Sequence, residues 1–288
     1  MIGLAGSKAD PVMVHTAAHC VRHEVPFAVM DLVDVASRGS WSLTVPPGPD
    51  DYVSGDEDVR LADLSGIYVR AIRLGDDAAA HRWRGLVDGF TAWLLESPVP
   101  VVNTPRSHVL NSYKPAHYAW LAEHCLAVPA SVMTSRAKVI AEFLTGGRAV
   151  VKPLCGTRAT TRELDLDRLV GRDDLGGPVM VQRLVEGDDV RVHVIGGEVV
   201  ACRFRSEMID YRSDRSAERF VTQLPDDLAH RLVGLTAEQG LAFAGWDFKV
   251  DADERYWVLE CNPMPGYSFY DRVADGAIAD ALVRYLSA

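Results

Sequence analysis

The stretch from Gly245 to Gly266, GWDFKVDADERYWVLECNPMPG, leaves a chain few ways to fold. Two apolar runs flank the polar turn DADER, the pattern of an antiparallel hairpin over about residues 246–261. Side chains two apart on a strand share a face, so Glu260 and Asn262 point the same way. Folding back through the turn sets Asp247 beside Glu260. Pro263 and Pro265 then stop the ladder, because proline has no N–H to donate. Two carboxylates and an amide oxygen form an all-oxygen cluster suited to Mg²⁺ holding phosphates. Spacing alone equally allows an exposed acidic edge followed by a proline turn.

Strands and helices alternate ahead of this hairpin. IGLA, PFAVMDL and GIYVRAI are apolar runs of buried-strand length, and Asp10 can cap a helix that opens on Pro11. Residues 77–95 read as a long helix before the short run VPVV, and residues 45–58, with three prolines and four aspartates, read as a surface loop. A small α/β domain therefore ends near Asn103. Further on, Ser112 is expected to cap a helix carrying Lys114, with Pro115 in its tolerant first turn. Thr134 is expected to cap another, stopped by Gly146-Gly147. RAVVKPL and GPVMVQRLV follow as strands. DVRVHVI and EVVACRF then flank Gly196-Gly197 as a hairpin, Pro225 opens a helix closed by Gly240, and a C-terminal helix starts near Asp271.

Composition narrows the function. A net charge of −10 argues against a nucleic-acid partner, and no apolar run is long enough to span a membrane. The N-terminus reads as a first strand rather than a signal peptide, and five scattered cysteines suit structural thiols in a reducing cytoplasm. Of 30 basic residues only five are lysines, so each lysine is worth placing. Lys152 ends a buried run before the polar loop PLCGTRATT, where it can hold a phosphate as a point charge or snorkel to solvent. Residues 183–219 hold seven arginines and no lysine, either a positive well for phosphates and carboxylates or a solvated face. Arg70 and Arg73, at the end of GIYVRAI, can reach a cleft or form structural ion pairs. His15, His19 and His23 fall on one helix face at spacing that can bind zinc; without a catalytic HExxH they read as a solvated stripe. GLAGSK lacks the spacing of a phosphate loop.

The order of these features resembles the ATP-grasp superfamily: a lysine on a helix, a lysine on a strand before a polar loop, VQRLVEGDDVR, an arginine-bearing hairpin, then Asp…Glu-x-Asn. Within it the chain is similar to RimK-type amino-acid ligases and to graspetide-type ligases that crosslink ribosomally made peptides. The likeness covers about residues 100–271. It implies a mixed α/β (α+β) ATP-grasp fold, with two α+β subdomains clasping ATP behind a small α/β domain. The implied bounds are 1–103, 104–182 and 183–288. It further implies that Lys114 and Lys152 contact ATP phosphates, and that Gln182, Arg183 and Leu184 line the adenine, the last two through backbone groups. Asp189 would hold the ribose, Asp247, Glu260 and Asn262 the metal. Arg191, Arg205 and Arg212 match arginines that bind phosphate or acyl phosphate, and Arg205, Arg212 and Lys152 would act in catalysis.

Two features depart from the pattern. The phosphate loop is poor in glycine, with Thr157, Arg158 and Ala159 after Gly156, and Glu207 stands where RimK relatives place a lysine. The implied activity is a cytoplasmic carboxylate–amine ligase that uses ATP and Mg²⁺, with Mn²⁺ as an alternative ion, and forms an amide on an amino acid or peptide through an acyl phosphate. The alternatives are a ligase that places ester or amide crosslinks in a precursor peptide, and a non-catalytic synapsin-like ATP-binding regulator. Neither nucleic acid nor membrane is an expected partner, and homo-oligomerisation is left open.

Overall fold

A computed structural model describes residues 1–70, 80–108, 113–152, 154 and 162–288. Arg73, the Ser112 cap and the loop residues Gly156, Thr157, Arg158 and Ala159 lie outside the described residues.

The N-terminal third is built on a parallel sheet of order β2-β1-β6-β7. Its strands are β1 (Ile2–Gly6), β2 (Phe27–Asp31), β6 (Gly66–Val69) and β7 (Val101–Val102). Asp10 caps helix α1 (Pro11–Arg22) by accepting the Val12 N–H at 2.9 Å, as the Asp-Pro pair predicts. Helices α2 (Leu32–Arg38) and α3 (Ala80–Leu95) follow. The expected loop over 45–58 is corrected: β3 (Ser40–Ser42), β4 (Tyr52–Ser54) and β5 (Asp58–Arg60) form an antiparallel sheet of their own. Buried Val53 and Val59 give it an inner face. Buried Asp51 organises the proline-rich turn, accepting from Thr44, the Gly48 N–H and the Trp93 indole N–H. A short acidic segment hides such a role, because one aspartate rather than an apolar run holds it together.

A second sheet has order β10-β9-β11-β8. It comprises β8 (Ser131–Arg136), β9 (Ala149–Lys152), β10 (Arg162–Glu163) and β11 (Asp174–Arg183), backed by helix α5 (Ala137–Leu144). Before it comes helix α4 (Lys114–Glu123), entered at Tyr113 with no side-chain cap. Thr134 is not the cap of α5. It sits inside β8 opposite Val179, and its hydroxyl accepts the N–H of Arg136, the extended residue that precedes the helix. The far end of α5 does stop at the glycines, where Arg183 donates to the Phe143 and Gly147 carbonyls.

The third sheet, order β14-β13-β12-β15-β16, is antiparallel throughout. It contains β12 (Asp188–Ile195), β13 (Glu198–Arg205), β14 (Glu218–Thr222), β15 (Phe243–Val250) and β16 (Tyr256–Asn262). Gly196 takes the left-handed φ of +56° that the two-residue turn requires. One face buries Val190, Val192, Val194, Trp246 and Phe248 with Leu232 and Leu235 of helix α6 (Asp226–Glu238). On the other face the end near Ile195, with Cys202 and Phe204 of β13, is covered.

That cover comes from helices α7 (Ser268–Val273) and α8 (Ala277–Ser287). The single C-terminal helix expected from Asp271 is thus two. Buried Asp271 explains the break, since it accepts the Ile278 and Ala279 N–H groups and so caps α8. Ile278, Leu282 and Leu286 pack into one cluster with Ile2, Leu4, Val12 and Met13, so the two ends of the chain share a core. Asn103 ties the same seam, accepting the Ala242 and Phe243 N–H groups at 2.9 Å. The histidine stripe faces this seam and is not solvated as a whole. His19 is 1% exposed, His15 Nε2 meets Asp271 at 2.6 Å and His19 Nε2 meets Asp280 at 2.9 Å. Burial under α7 and α8 depends on elements some 250 residues away, which helix periodicity cannot report.

Candidate active site

Asp247 and Glu260 stand opposite one another in the β15–β16 ladder, and Asn262 lies opposite Gly245. Leu259 is the extra residue of a bulge, which keeps Glu260 and Asn262 on the open face of the sheet. The two carboxylates lie deep but open to the cleft, with 27% and 35% of their side chains exposed. Arg191 Nη1 donates to Asp247 Oδ2 at 2.6 Å, crossing the strand over Gly245. A Cβ at Gly245 would sit 2.2 Å from Arg191 Nη2 and 2.7 Å from Pro265, so glycine is what lets the guanidinium lie there. Burial raises the Asp247 carboxyl above its ordinary range despite Arg191. Burial pushes Glu260 the same way, but Lys114, Lys152 and Arg191 outweigh it and hold that carboxylate ionised. Asn262 Oδ1 also accepts the Met264 N–H at 2.8 Å, so the proline turn and the candidate ligand are one feature. An all-oxygen set of two acids and an amide, balanced by cations and open to the cleft, fits Mg²⁺.

Helix α4 braces this edge. On one of its faces Lys114 Nζ donates to Glu260 at 3.3 Å, His117 Nε2 accepts the Cys261 N–H at 2.9 Å, and the Tyr118 hydroxyl donates to the bulged Leu259 carbonyl at 2.5 Å. His117 and Tyr118 were missed in the sequence. Their signal is present, since they fall three and four residues after Lys114. Lys152, on β9, donates to Gln182 Oε1 at 2.7 Å. It does not snorkel: burial lowers its pKa, while Glu260 and Asp247 pull it back up. Gln182 Nε2 donates in turn to Ser131, so this glutamine positions the lysine.

The other candidates divide. Asp189 shares the open face with Arg191 and Asp247, but accepts from Lys249 at 2.8 Å, and burial pushes its carboxyl up to about 6. Lys249 is a further missed residue. Arg183 and Leu184 spend their backbone N–H groups on Ala130 and Arg148, which leaves carbonyls for a ligand. Arg212 is gripped by Asp210 through two 2.7 Å bonds, with its charge acting on both Asp247 and Lys152. Arg205 is corrected. Register pairs Arg191 with Cys202 and Asp189 with Phe204, so Arg205 lies on the reverse face, paired with Asp188 and Glu218. The seven-arginine segment is therefore not one well: Arg203 also pairs on the reverse face, and Arg183 caps a helix. Arg70 is a structural pair, with Nε 2.7 Å from Asp10 and Nη1 donating to the Pro265 carbonyl at 2.9 Å.

His117 gives the site a pH dependence. Burial, against the Glu260 charge, pushes its pKa down to about 4. The folded value lies below the unfolded one of about 6.5, so the contribution is complete above pH 6.5 and is lost as pH falls towards 4. By pH 4.5 the loss should amount to about 2–3 kcal/mol. In urea titrations at pH 7 and 4.5, the wild type should lose about that much more stability than His117→Gln. Equal losses would show that this imidazole titrates normally.

No curated protein matches the chain in sequence. Residues 171–286 match the family model of the RimK-like ATP-grasp domain. The whole chain also superposes on the ATP-grasp ligase PsnB, complexed with a phosphomimetic variant of its minimal precursor, Mg and ADP. That match has a TM-score of 0.81 and 27% identity, over 99% of this chain and 98% of PsnB. The chain has the ATP-grasp fold and is an ATP-dependent ligase. Two more distant structures share the fold. The macrocyclase MdnC of Microcystis aeruginosa MRC, bound with the precursor peptide MdnA, gives a TM-score of 0.81 at 16% identity, over 99% of each chain. The Chryseobacterium gregarium RiPP-associated ATP-grasp ligase, in complex with ADP and a leader and core peptide, gives 0.82 at 17%, over 99% of this chain and 96% of that one. ATP and Mg²⁺ are accordingly the ligase's cofactors, and the reading as a non-catalytic regulator gives way. Among the described residues no helix is long and apolar enough to cross a membrane.

Proposed function

We propose that the ligase modifies a precursor peptide, activating a side-chain carboxylate and joining it to a hydroxyl or amine of the same peptide. The observation that carries this is the near full-length likeness to precursor-bound PsnB at 27% identity, which includes the N-terminal sheet and the seam at Asn103. It favours the peptide substrate over a free amino acid.

In this reading Asp247, Glu260 and Asn262 hold Mg²⁺, which supplies charge neutralisation at the terminal phosphates. Lys114, Lys152 and Arg191 hold the phosphates. Gln182 and the carbonyls of Arg183 and Leu184 face the adenine, and Asp189 exchanges Lys249 for the ribose. A carboxylate oxygen attacks the γ-phosphorus, the bond to the bridging oxygen breaks, and ADP leaves. The peptide hydroxyl or amine then attacks the acyl carbon, phosphate leaves with one former carboxylate oxygen, and the nucleophile's proton passes to solvent. Arg212 is placed to stabilise charge on the transferring group.

The test supplies ATP, Mg²⁺ and the peptides encoded beside the gene, and follows ADP release together with peptide mass. One water should be lost per crosslink, with one ADP formed for each. ADP release with free amino acids and none with any such peptide would restore the amino-acid ligase reading.

A further inference from the structure

Away from the active site, α1 and α8 bring two imidazoles and a carboxylate together where the chain's two ends meet. His19, His23 and Asp280 each offer a ligand atom, all within 4.8 Å of one another. His19 and His23, one helical turn apart, stack with ring centroids 4.2 Å apart and planes 19° from parallel. His19 Nε2 already lies 2.9 Å from Asp280 Oδ1. Metal bonds of about 2.0–2.2 Å at tetrahedral angles separate ligand atoms by roughly 3.3–3.5 Å, and the two rings must unstack to turn their in-plane lone pairs onto one ion.

Two further observations point to a cation. His19 Nδ1 is buried with no hydrogen-bond partner among the described residues, so no hydrogen bond on that nitrogen holds the ring against turning its Nε2 onto an ion. His23 is also the C-cap of α1, where unpaired carbonyls and the helix dipole favour positive charge. Asp280 stands in the first turn of α8, so a shared ion would lock the N-terminal domain to the last helix. His15 takes no part, being engaged by Asp271.

We infer that His19, His23 and Asp280 form a structural site for a transition-metal dication of the Zn²⁺ class, separate from the catalytic magnesium. Two imidazoles and one carboxylate select Zn²⁺, Co²⁺ or Ni²⁺ over Mg²⁺, and water completes the shell. The ion clasps α1 to α8 and takes no part in the chemistry.

The test titrates Co²⁺ into tag-free, chelator-treated full-length protein held in excess Mg²⁺, which keeps Asp247 and Glu260 occupied. Visible absorption of tetrahedral Co²⁺ should saturate at one ion per chain, and Zn²⁺ should displace it. Zn²⁺ should also raise the Tm by about 3 °C or more. His23→Ala, at an exposed position, and Asp280→Asn, at a half-buried one, should keep the fold and the Mg²⁺-dependent turnover. Each should weaken Co²⁺ binding by at least about tenfold and abolish the Tm shift. No saturable Co²⁺ signal, or the same affinity in both variants, would overturn the site.

Discussion

Glu260→Gln is expected to lower magnesium-dependent turnover by about 10³-fold while leaving the fold intact. The substitution keeps the side chain's shape and removes one of only two formal charges offered to the ion. Its neighbours tolerate the loss, because Lys114 is bonded to Glu260 only at 3.3 Å and Glu260 keeps 35% of its side chain exposed. Asp247→Ala should also cripple turnover, but for two reasons at once. It strips the ion of a ligand and leaves Arg191, 5% exposed, without its 2.6 Å partner. Breaking a buried pair in this way costs about 3–5 kcal/mol, so part of the loss would be unfolding. Asn262→Ala should cost less in turnover than either acid, because an amide contributes no net charge. The measurement is turnover across a Mg²⁺ titration, beside urea midpoints. Wild-type activity of Glu260→Gln at limiting Mg²⁺ would show that the ion is held elsewhere.

The same residues show what a sequence discloses. Asp247, Glu260 and Asn262 were legible because strand alternation and a short turn dictate register, and register alone puts them together. Arg205 was legible by the same rule. Counting back from Gly196-Gly197 pairs Arg191 with Cys202 and sends Arg205 to the other face, whereas its clustering with other arginines suggested convergence. Lys249 could have been found likewise, two residues after Asp247 and opposite Asp189. His117 and Tyr118 were readable as one helix face with Lys114, though not what that face would meet. Other features had no local signal. The burial of His19, the capping of α8 by Asp271 and the core shared by Ile2 and Leu286 all require the two chain ends to meet. Asp51 acts through four donors gathered by a loop whose composition reads as solvated.

Arg212→Ala is expected to cut kcat by about 10²–10³-fold while changing the KM for ATP far less. The reason lies in where its charge acts. Asp210 grips Arg212, yet the guanidinium charge reaches both Asp247 and Lys152. In the proposed pose Lys114, Lys152 and Arg191 already serve ground-state binding, to which a cation with 60% of its side chain exposed adds little. It contributes most when charge builds on the phosphoryl group in flight. Such a split, in kcat rather than KM, marks an interaction made only in the transition state. The route itself is tested with a substrate peptide carrying ¹⁸O in its carboxylates. An acyl phosphate delivers one labelled oxygen to inorganic phosphate beside unlabelled ADP, because the C–O bond of that intermediate is the one that breaks. An adenylate would deliver the label to AMP and release pyrophosphate. In the proposed nucleotide pose Lys152, Asp247, Glu260 and Arg212, whose charges act on one another, serve the terminal phosphates, and Asp189 serves the ribose. Labelled AMP with pyrophosphate would therefore reverse the orientation of the nucleotide in the cleft as well as the chemistry.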